Sequence, residues 1–251
     1  IFPMKAEALK YFVPVGSVGK KSVSGDLDLA IDKSHIVKSF TGSELEKWGV
    51  DWDDWNDLYT VFHKRSRTAT YEMSKMRALL TLISKKIKES GVPTSDHVTH
   101  GNIFTCFPQY EASGVPNGNK VQIDWMVGDI EWLEWSYFSS GERGLKGLHR
   151  KQFIVAALAE AGYTFNHYCG IKKKGSSDWD ITSPQAAISL LSKEYGSLTI
   201  NETFTFSDLN KWLLNSVDDT TYSAVITRYK NILKLAKADT PEELKEFEDS
   251  L

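Results

Sequence analysis

The 251-residue sequence lacks the features that mark several specialised classes of protein. Its two cysteines, Cys106 and Cys169, lie far apart and have no C-x-x-C spacing, which argues against a zinc site. It also has no apolar run of the roughly 20 residues needed to cross a bilayer, and no signal-peptide pattern. We therefore expect a reduced, cytoplasmic protein with no membrane partner.

The sequence has no excess of positive charge either, since its formal net charge at pH 7 is -3. Proteins that coat nucleic acid through phosphate contacts are usually strongly basic. Any contact with RNA or DNA is therefore expected to be a local patch. With 41% hydrophobic and 25% charged residues, the chain has enough apolar residues for a sizeable core without covalent cross-links.

The hydrophobic pattern predicts a mixed α/β N-terminal half and a mostly helical C-terminal half. Short apolar or alternating runs predict strands at 11–15, 27–31, 98–107 and 120–127. A hairpin loop rich in Pro, Gly and Asn joins the last two of these strands. Helical spacing predicts these helices: 41–63 in two pieces, 71–90, 130–138, 148–161, 183–195, 207–215, 221–238 and 241–247. A β-like run at 163–174 interrupts the helical half. The tryptophan-rich stripe within 41–63 is expected to pack in the core.

Two acids lie inside a predicted strand, in the segment GDLDLAID at 25–32. Asp26 and Asp28 are two residues apart, so both side chains point to the same face of a strand. Burying ionised carboxylates there costs several kcal/mol unless a cation or hydrogen bonds offset the cost. The pair therefore predicts half of a site for Mg²⁺ (or Mn²⁺), which prefers carboxylate oxygens.

Asp124 is the predicted third carboxylate of this site. It is the one acid in the apolar run KVQIDWMV, and a carboxylate on an adjacent strand would complete a two-metal arrangement. Gly16 and Ser17 form a predicted turn upstream, where glycine lets the backbone approach a phosphate and serine offers a hydroxyl and an amide. The alternative is that 25–32 is an edge strand with solvated acids and that Asp124 pairs locally.

This combination resembles the signature of the DNA polymerase beta-type nucleotidyltransferase superfamily. The matching residues are Gly16-Ser17, an eight-residue spacer and the run Asp26-Leu27-Asp28-Leu29, and Asp124 resembles the family's third carboxylate. The resemblance covers about the first half of the chain. It implies an α/β (α+β) fold, with a polymerase beta-like nucleotidyltransferase core and a short mixed sheet in residues 1–145. A mostly helical C-terminal lobe in residues 146–251 would follow.

The resemblance also implies an activity, which is metal-dependent transfer of a nucleoside monophosphate from a nucleoside triphosphate to an acceptor hydroxyl, with release of pyrophosphate. Asp26 and Asp28 would bind both metal ions, Asp124 would hold the catalytic ion and help activate the acceptor, and Ser17 would contact the triphosphate. The expected acceptor is an RNA or DNA end. The alternatives are a protein or small-molecule hydroxyl, or an inactive binding protein with this fold. The arginine-rich motif of CCA-adding enzymes and bacterial poly(A) polymerases is not found.

A basic cluster at the predicted start of a C-terminal helix is the second candidate. Lys146, His149 and Arg150 lie in the segment GLKGLHRKQF, where positive side chains and helix N–H groups together favour a phosphate. We predict that they bind the nucleotide, with a solvated basic face as the alternative. The cluster resembles nucleotidyltransferases encoded by bacteriophages, which would place the protein in the host cytoplasm. The lysines at 172–174 either contact a nucleic-acid backbone or form a solvated loop, and His100 is expected to be structural.

Overall fold

The computed structural model describes residues 11–18, 20, 26–65, 70–111, 113–140, 147–241 and 244. The chain divides into two compact units. Unit 1 contains residues 1–134 and 167–169, and unit 2 contains residues 135–166 and 170–251. The boundary predicted from the sequence, between residues 145 and 146, falls in a segment outside the described residues.

The described residues of unit 1 contain a five-stranded mixed sheet, in the order β1-β2-β5-β4-β3. The strands are β1 (Phe12–Pro14), β2 (Asp26–Asp32), β3 (Thr94–His97), β4 (Asn102–Tyr110) and β5 (Pro116–Gly128). β2 and β5 run parallel, whereas the other neighbouring strands are antiparallel. The predicted hairpin is confirmed as β4 and β5. The predicted strand start at Val98 is wrong, because Val98–His100 is a 3-10 turn between β3 and β4.

Helices cover part of this sheet and form the core of unit 1 with it. They are α1 (Lys33–Ile36), α2 (Gly42–Glu46), α3 (Trp52–Arg65) and α4 (Tyr71–Glu89). α4 begins at the N-cap residue Thr70, whose hydroxyl accepts a hydrogen bond from the Met73 N–H at 3.2 Å. The apolar face of α4 packs with residues of β2, β4 and β5 in one buried cluster. The predicted tryptophan stripe is confirmed at Trp55, which is buried, but Trp52 is 46% exposed.

Unit 2 is mostly helical, and the chain enters it within α5 (Ile130–Ser136). Its other helices are α6 (Gly147–Glu160), α7 (Pro184–Tyr195), α8 (Phe206–Ser216) and α9 (Asp219–Leu235). The predicted β-like interruption is confirmed as an antiparallel pair, β6 (Tyr163–Asn166) and β7 (Gly170–Lys173). Phe153, Phe206 and Tyr229 form an aromatic cluster between α6, α8 and α9, with ring centroids 5.3 to 5.6 Å apart. Most of the predicted helix 241–247 lies outside the described residues.

The helices and the two cysteines bear on the expectations of no membrane span and a reduced protein. No helix in the part of the chain that the structure describes is long and apolar enough to cross a membrane. Cys106 and Cys169 form no disulfide in the part of the chain that the structure describes, and the Cys169 sulfur lies 3.6 Å from the sulfur of Met73. The strands and helices together make the fold class mixed α/β, with a mixed sheet followed along the chain by a mostly helical region.

Candidate metal centre

Three aspartates on two neighbouring strands converge in unit 1. The parallel register of β2 and β5 places Asp28 directly beside Asp124. Asp26 is two residues before Asp28 and therefore shares its face of the sheet. One carboxylate oxygen from each of the three residues lies within 4.8 Å of the other two. The structure therefore brings together the three acids that the sequence predicts to act as one site.

Asp124 has the most buried environment of the three carboxylates. It is 8% exposed, whereas Asp26 and Asp28 are half-buried. Burial raises the pKa of the Asp124 carboxyl. A hydrogen bond from Gln122 opposes this rise, and the negative charge of Asp26 raises the pKa further. The Gln122 Nε2 donates to Asp124 Oδ1 at 2.6 Å. The ionised form of Asp124 is thus disfavoured by its surroundings, and a cation beside it would relieve that cost.

A tight turn between β1 and β2 brings the backbone against the Asp28 carboxylate. The Val15 N–H donates to the Asp28 carbonyl at 3.0 Å, which fixes the start of the turn. Gly16 follows with φ of +61°, and a Cβ on it would overlap Asp28 Oδ2. Glycine is therefore required both for the backbone angle and for the close approach. Ser17, the predicted phosphate contact, is the next residue of this turn and is half-buried.

Gly16→Ala is expected to weaken Mn²⁺ binding by about tenfold or more, because the new methyl group displaces the Asp28 carboxylate and misplaced ligands typically cost this much. Its free energy of unfolding should fall by about 1 to 2 kcal/mol, the usual cost of a left-handed backbone at alanine. Gly114→Ala is the matched control, since Gly114 has φ of +82° and, apart from its chain neighbours, no heavy atom of the described residues lies within 4 Å of its Cβ position. The control should lose similar stability and keep its Mn²⁺ affinity, measured by titration calorimetry. Unchanged Mn²⁺ affinity in Gly16→Ala would contradict the close contact.

Gln122 belongs to this site but is not among the residues predicted from the sequence. Gln122 is two residues before Asp124, and this spacing places both side chains on one face of β5. The spacing alone could therefore have identified Gln122 as a neighbour of the site. The backbone N–H of Lys20 donates to the Ser17 carbonyl at 3.1 Å, which closes the glycine-serine turn. Partial burial lowers the pKa of Lys20, and the nearby charge of Glu134 opposes this effect.

The predicted nucleotide-binding cluster in unit 2 is only partly described by the structure. Lys146 lies outside the described residues. His149 is half-buried in the first turn of α6, and its Nδ1 lies 3.0 Å from the Tyr229 hydroxyl on α9. This contact gives His149 a packing role inside unit 2. Its role in nucleotide binding stays a prediction.

Arg150, also predicted to bind the nucleotide, is buried in unit 2, which gives it a packing role and leaves little surface for a phosphate contact. It is 1% exposed, because position 150 lies on the same face of α6 as Phe153, Ile154 and Ala157. Its Nε donates to the Thr203 carbonyl, and its Nη1 and Nη2 have no hydrogen-bond partner among the described residues. The guanidinium lies 5.2 and 5.7 Å from the ring centroids of Trp135 and Phe138. Burial lowers the pKa of Arg150 to about 9.

Lys172 and Lys174, two of the lysines at 172–174, are also engaged within unit 2. Lys172 is buried, and its Nζ donates to the Ser176 carbonyl at 2.9 Å. The Lys174 Nζ donates to the Ala159 carbonyl at 2.7 Å. These contacts give both side chains a structural role, so they provide little support for contact with a nucleic-acid backbone.

Comparisons with known proteins find no family model, no curated protein and no solved structure that this chain matches. An interpretation of the acidic centre therefore rests on its own residues. These are the three aspartates, Gln122 and the glycine-serine turn.

Proposed function

We propose that this protein is a metal-dependent nucleotidyltransferase, which moves a nucleoside monophosphate from a nucleoside triphosphate to an acceptor hydroxyl and releases pyrophosphate. One observation carries this proposal: the three aspartates converge directly beside the turn of Gly16 and Ser17. An acidic cluster alone suits many cations. A cluster that adjoins a glycine-serine turn also suits the phosphates of a nucleotide, because the backbone there can approach them closely.

The chemistry of the three donors fits Mg²⁺ or Mn²⁺. All three are carboxylates, and these metals prefer oxygen ligands to nitrogen or sulfur. The oxygens are close enough to share one ion or to bridge a pair. The buried position of Asp124 and its raised pKa further favour a positive charge at this place. When bound, the metal would offset the charge of the phosphates and make the acceptor hydroxyl more acidic.

The residues of the chain would have separate roles around the triphosphate. Asp26 and Asp28 would hold the metal from β2. Asp124, oriented by its hydrogen bond from Gln122, would hold the metal from β5 and accept the proton of the attacking hydroxyl. Ser17 would donate to phosphate oxygens, and Lys20, whose backbone N–H closes the same turn, would add positive charge beside them.

We further propose that unit 1 is a nucleotidyltransferase core of the polymerase beta type and that unit 2 is its helical lobe. Two features of unit 1 support this proposal. The aspartates come from adjacent parallel strands of a mixed sheet, and the glycine-serine turn connects β1 with the strand that carries the acidic pair. Both features agree with the family signature that the sequence resembles.

The proposed acceptor is the hydroxyl at an RNA or DNA end, and labelling can identify it. Each nucleoside triphosphate, labelled at its α-phosphate, is incubated with Mg²⁺ or Mn²⁺ and in turn with RNA, DNA and a protein mixture. Label that nucleases release supports a nucleic-acid acceptor, whereas label that proteases release would assign the activity to a protein hydroxyl. No transfer to any acceptor with either metal would reject the proposal.

Metal binding should also raise thermal stability, because a ligand that binds only the folded state stabilises it. At a free Mn²⁺ concentration of 100 times the dissociation constant, the gain is about 2.7 kcal/mol. We expect the unfolding temperature of Asp124→Asn to equal or exceed that of the wild type without metal, since one buried carboxylate is neutralised, and to respond little to Mn²⁺. Asp57→Asn, a change at an exposed position of α3, should respond like the wild type. A full Mn²⁺ response in Asp124→Asn would contradict the assignment of this residue as a ligand.

A further inference from the structure

A pair of histidines lies at the connection between β3 and β4 in unit 1. His97 Nε2 lies 3.0 Å from His100 Nδ1, and the two ring centroids are 4.0 Å apart. In the metal-free protein one ring N–H donates to the other ring nitrogen. Thr99 Oγ1, 3.1 Å from the same His100 nitrogen, adds a neutral oxygen beside the pair. The sequence pattern predicts only a structural role for His100.

Local geometry explains why the two imidazoles meet. His97 ends β3, and Val98–His100 forms a 3-10 turn, in which side chains three residues apart lie over each other. The turn ends at Gly101, which has φ of +76° and whose Cβ would overlap the Val127 carbonyl and the ring of Tyr168. The two histidines are therefore held together by the backbone.

The rest of unit 1 also anchors this turn. Val98 is buried in the core, and the Gly101 carbonyl accepts a hydrogen bond from the Val127 N–H at 3.0 Å. His97 is paired with Asn102 at the end of the β3–β4 ladder. A site built on such anchored backbone loses little conformational freedom when an ion binds.

We propose that His97 and His100 chelate a transition-metal ion of the Zn²⁺, Ni²⁺ or Cu²⁺ class. Neutral imidazole nitrogens are preferred ligands of these ions. Metal–nitrogen bonds of about 2.0 to 2.1 Å place two neighbouring ligand nitrogens about 3 Å apart, close to the spacing already present. The ion takes the place of the proton between the two rings. The ring that carried this proton gives it to water and takes one up at its other nitrogen, so both ligands stay neutral imidazoles with no net proton release, and water fills the remaining coordination positions.

This site is distinct from the aspartate centre and does not depend on the proposed transfer reaction. β3 is an edge strand of the sheet, separated by β4 from the β5 strand that carries Asp124. With strands about 4.8 Å apart, the two sites lie roughly 10 Å apart across the sheet. They also differ in chemistry, since the carboxylates suit Mg²⁺ and the imidazoles suit Ni²⁺.

Titration calorimetry with NiCl₂ at neutral pH, in excess Mg²⁺ to occupy the carboxylates, tests the proposal on the whole chain. Wild type should bind one Ni²⁺ at this site. His97→Gln and His100→Gln should each weaken that binding by more than about tenfold, because losing even an outer-shell partner of a metal ligand typically costs about 10- to 100-fold. Two controls should keep the Ni²⁺ affinity: Asp28→Asn in the other centre, and His35→Gln, which removes an exposed imidazole that contacts Tyr11.

Circular dichroism and thermal unfolding check that each variant is folded. His97 is exposed, so its substitution is expected to leave the fold intact. Ni²⁺ affinity that is unchanged in both His97→Gln and His100→Gln would overturn the proposal. Equal loss in His35→Gln or in Asp28→Asn would overturn it as well, because the ion would then bind elsewhere. Loss of Mg²⁺-dependent nucleotidyl transfer is a separate readout and concerns only the aspartate centre.

Discussion

Asp28→Asn should reduce nucleotidyl transfer by about 1,000-fold or more while leaving the protein folded. A metal ion contributes several kcal/mol to stabilising charge in the transition state, and each 1.36 kcal/mol corresponds to a factor of about ten in rate. Asparagine keeps the shape of the side chain against Gly16 but removes the charge that holds the ion. The measurement is the initial rate of pyrophosphate release at saturating nucleotide and Mg²⁺.

Asp124→Asn should have a similar effect, because it removes both a ligand and the proposed proton acceptor. Asp57→Asn is the matched control, since it makes the same chemical change at an exposed position of α3. The control should release pyrophosphate at the wild-type rate. If all three variants had the same rate as the wild type, the aspartate cluster would have no part in the reaction.

Arg150→Met should raise the free energy of unfolding by about 1 to 4 kcal/mol, the range seen when buried ion pairs are replaced by apolar side chains of similar volume. Arg150 has two nitrogen atoms without a hydrogen-bond partner among the described residues, so its burial is incompletely compensated. The variant loses the hydrogen bond to the Thr203 carbonyl and the contacts with two aromatic rings, which reduces the gain. Urea denaturation measures the difference.

Arg150→Ala separates the effect of charge from the effect of volume. It removes the same charge but leaves a cavity, and should therefore be about 2 to 5 kcal/mol less stable than Arg150→Met. Nucleotide affinity should be the same in wild type and Arg150→Met, because the buried guanidinium offers no surface to a phosphate. A folded Arg150→Met protein with tenfold weaker nucleotide binding would contradict the burial of this side chain and restore its predicted phosphate contact.

The acidic centre could be predicted because each part of it has a local sequence signal. The spacing of two places Asp26 and Asp28 on one face of β2, and an acid inside an apolar run marks Asp124. The parallel pairing of β2 with β5, which sets Asp28 beside Asp124, has no such signal, since it joins residues almost a hundred positions apart. Gln122 was also missed, although the alternation along β5 places it on the face of Asp124.

The position of a charged residue on its helix is not apparent from charge alone. Arg150 was grouped with basic neighbours, yet its spacing of three and four from Phe153 and Ile154 already places it on the buried face of α6. The pairing of His97 with His100 depends on a 3-10 turn in a segment whose apolar pattern predicts a strand. In a strand, residues three apart point to opposite faces, so the predicted geometry would have separated the two rings.

The proposed reaction is tested most directly by following the two ends of the triphosphate in parallel. Wild type and Asp28→Asn are incubated with Mg²⁺, the acceptor mixtures and nucleoside triphosphate labelled at either the α- or the γ-phosphate. Nucleotidyl transfer predicts that wild type moves the α-label to the acceptor and releases the γ-label as pyrophosphate, and that Asp28→Asn does neither. Transfer of the γ-label to the acceptor, or identical products from wild type and Asp28→Asn, would contradict the account.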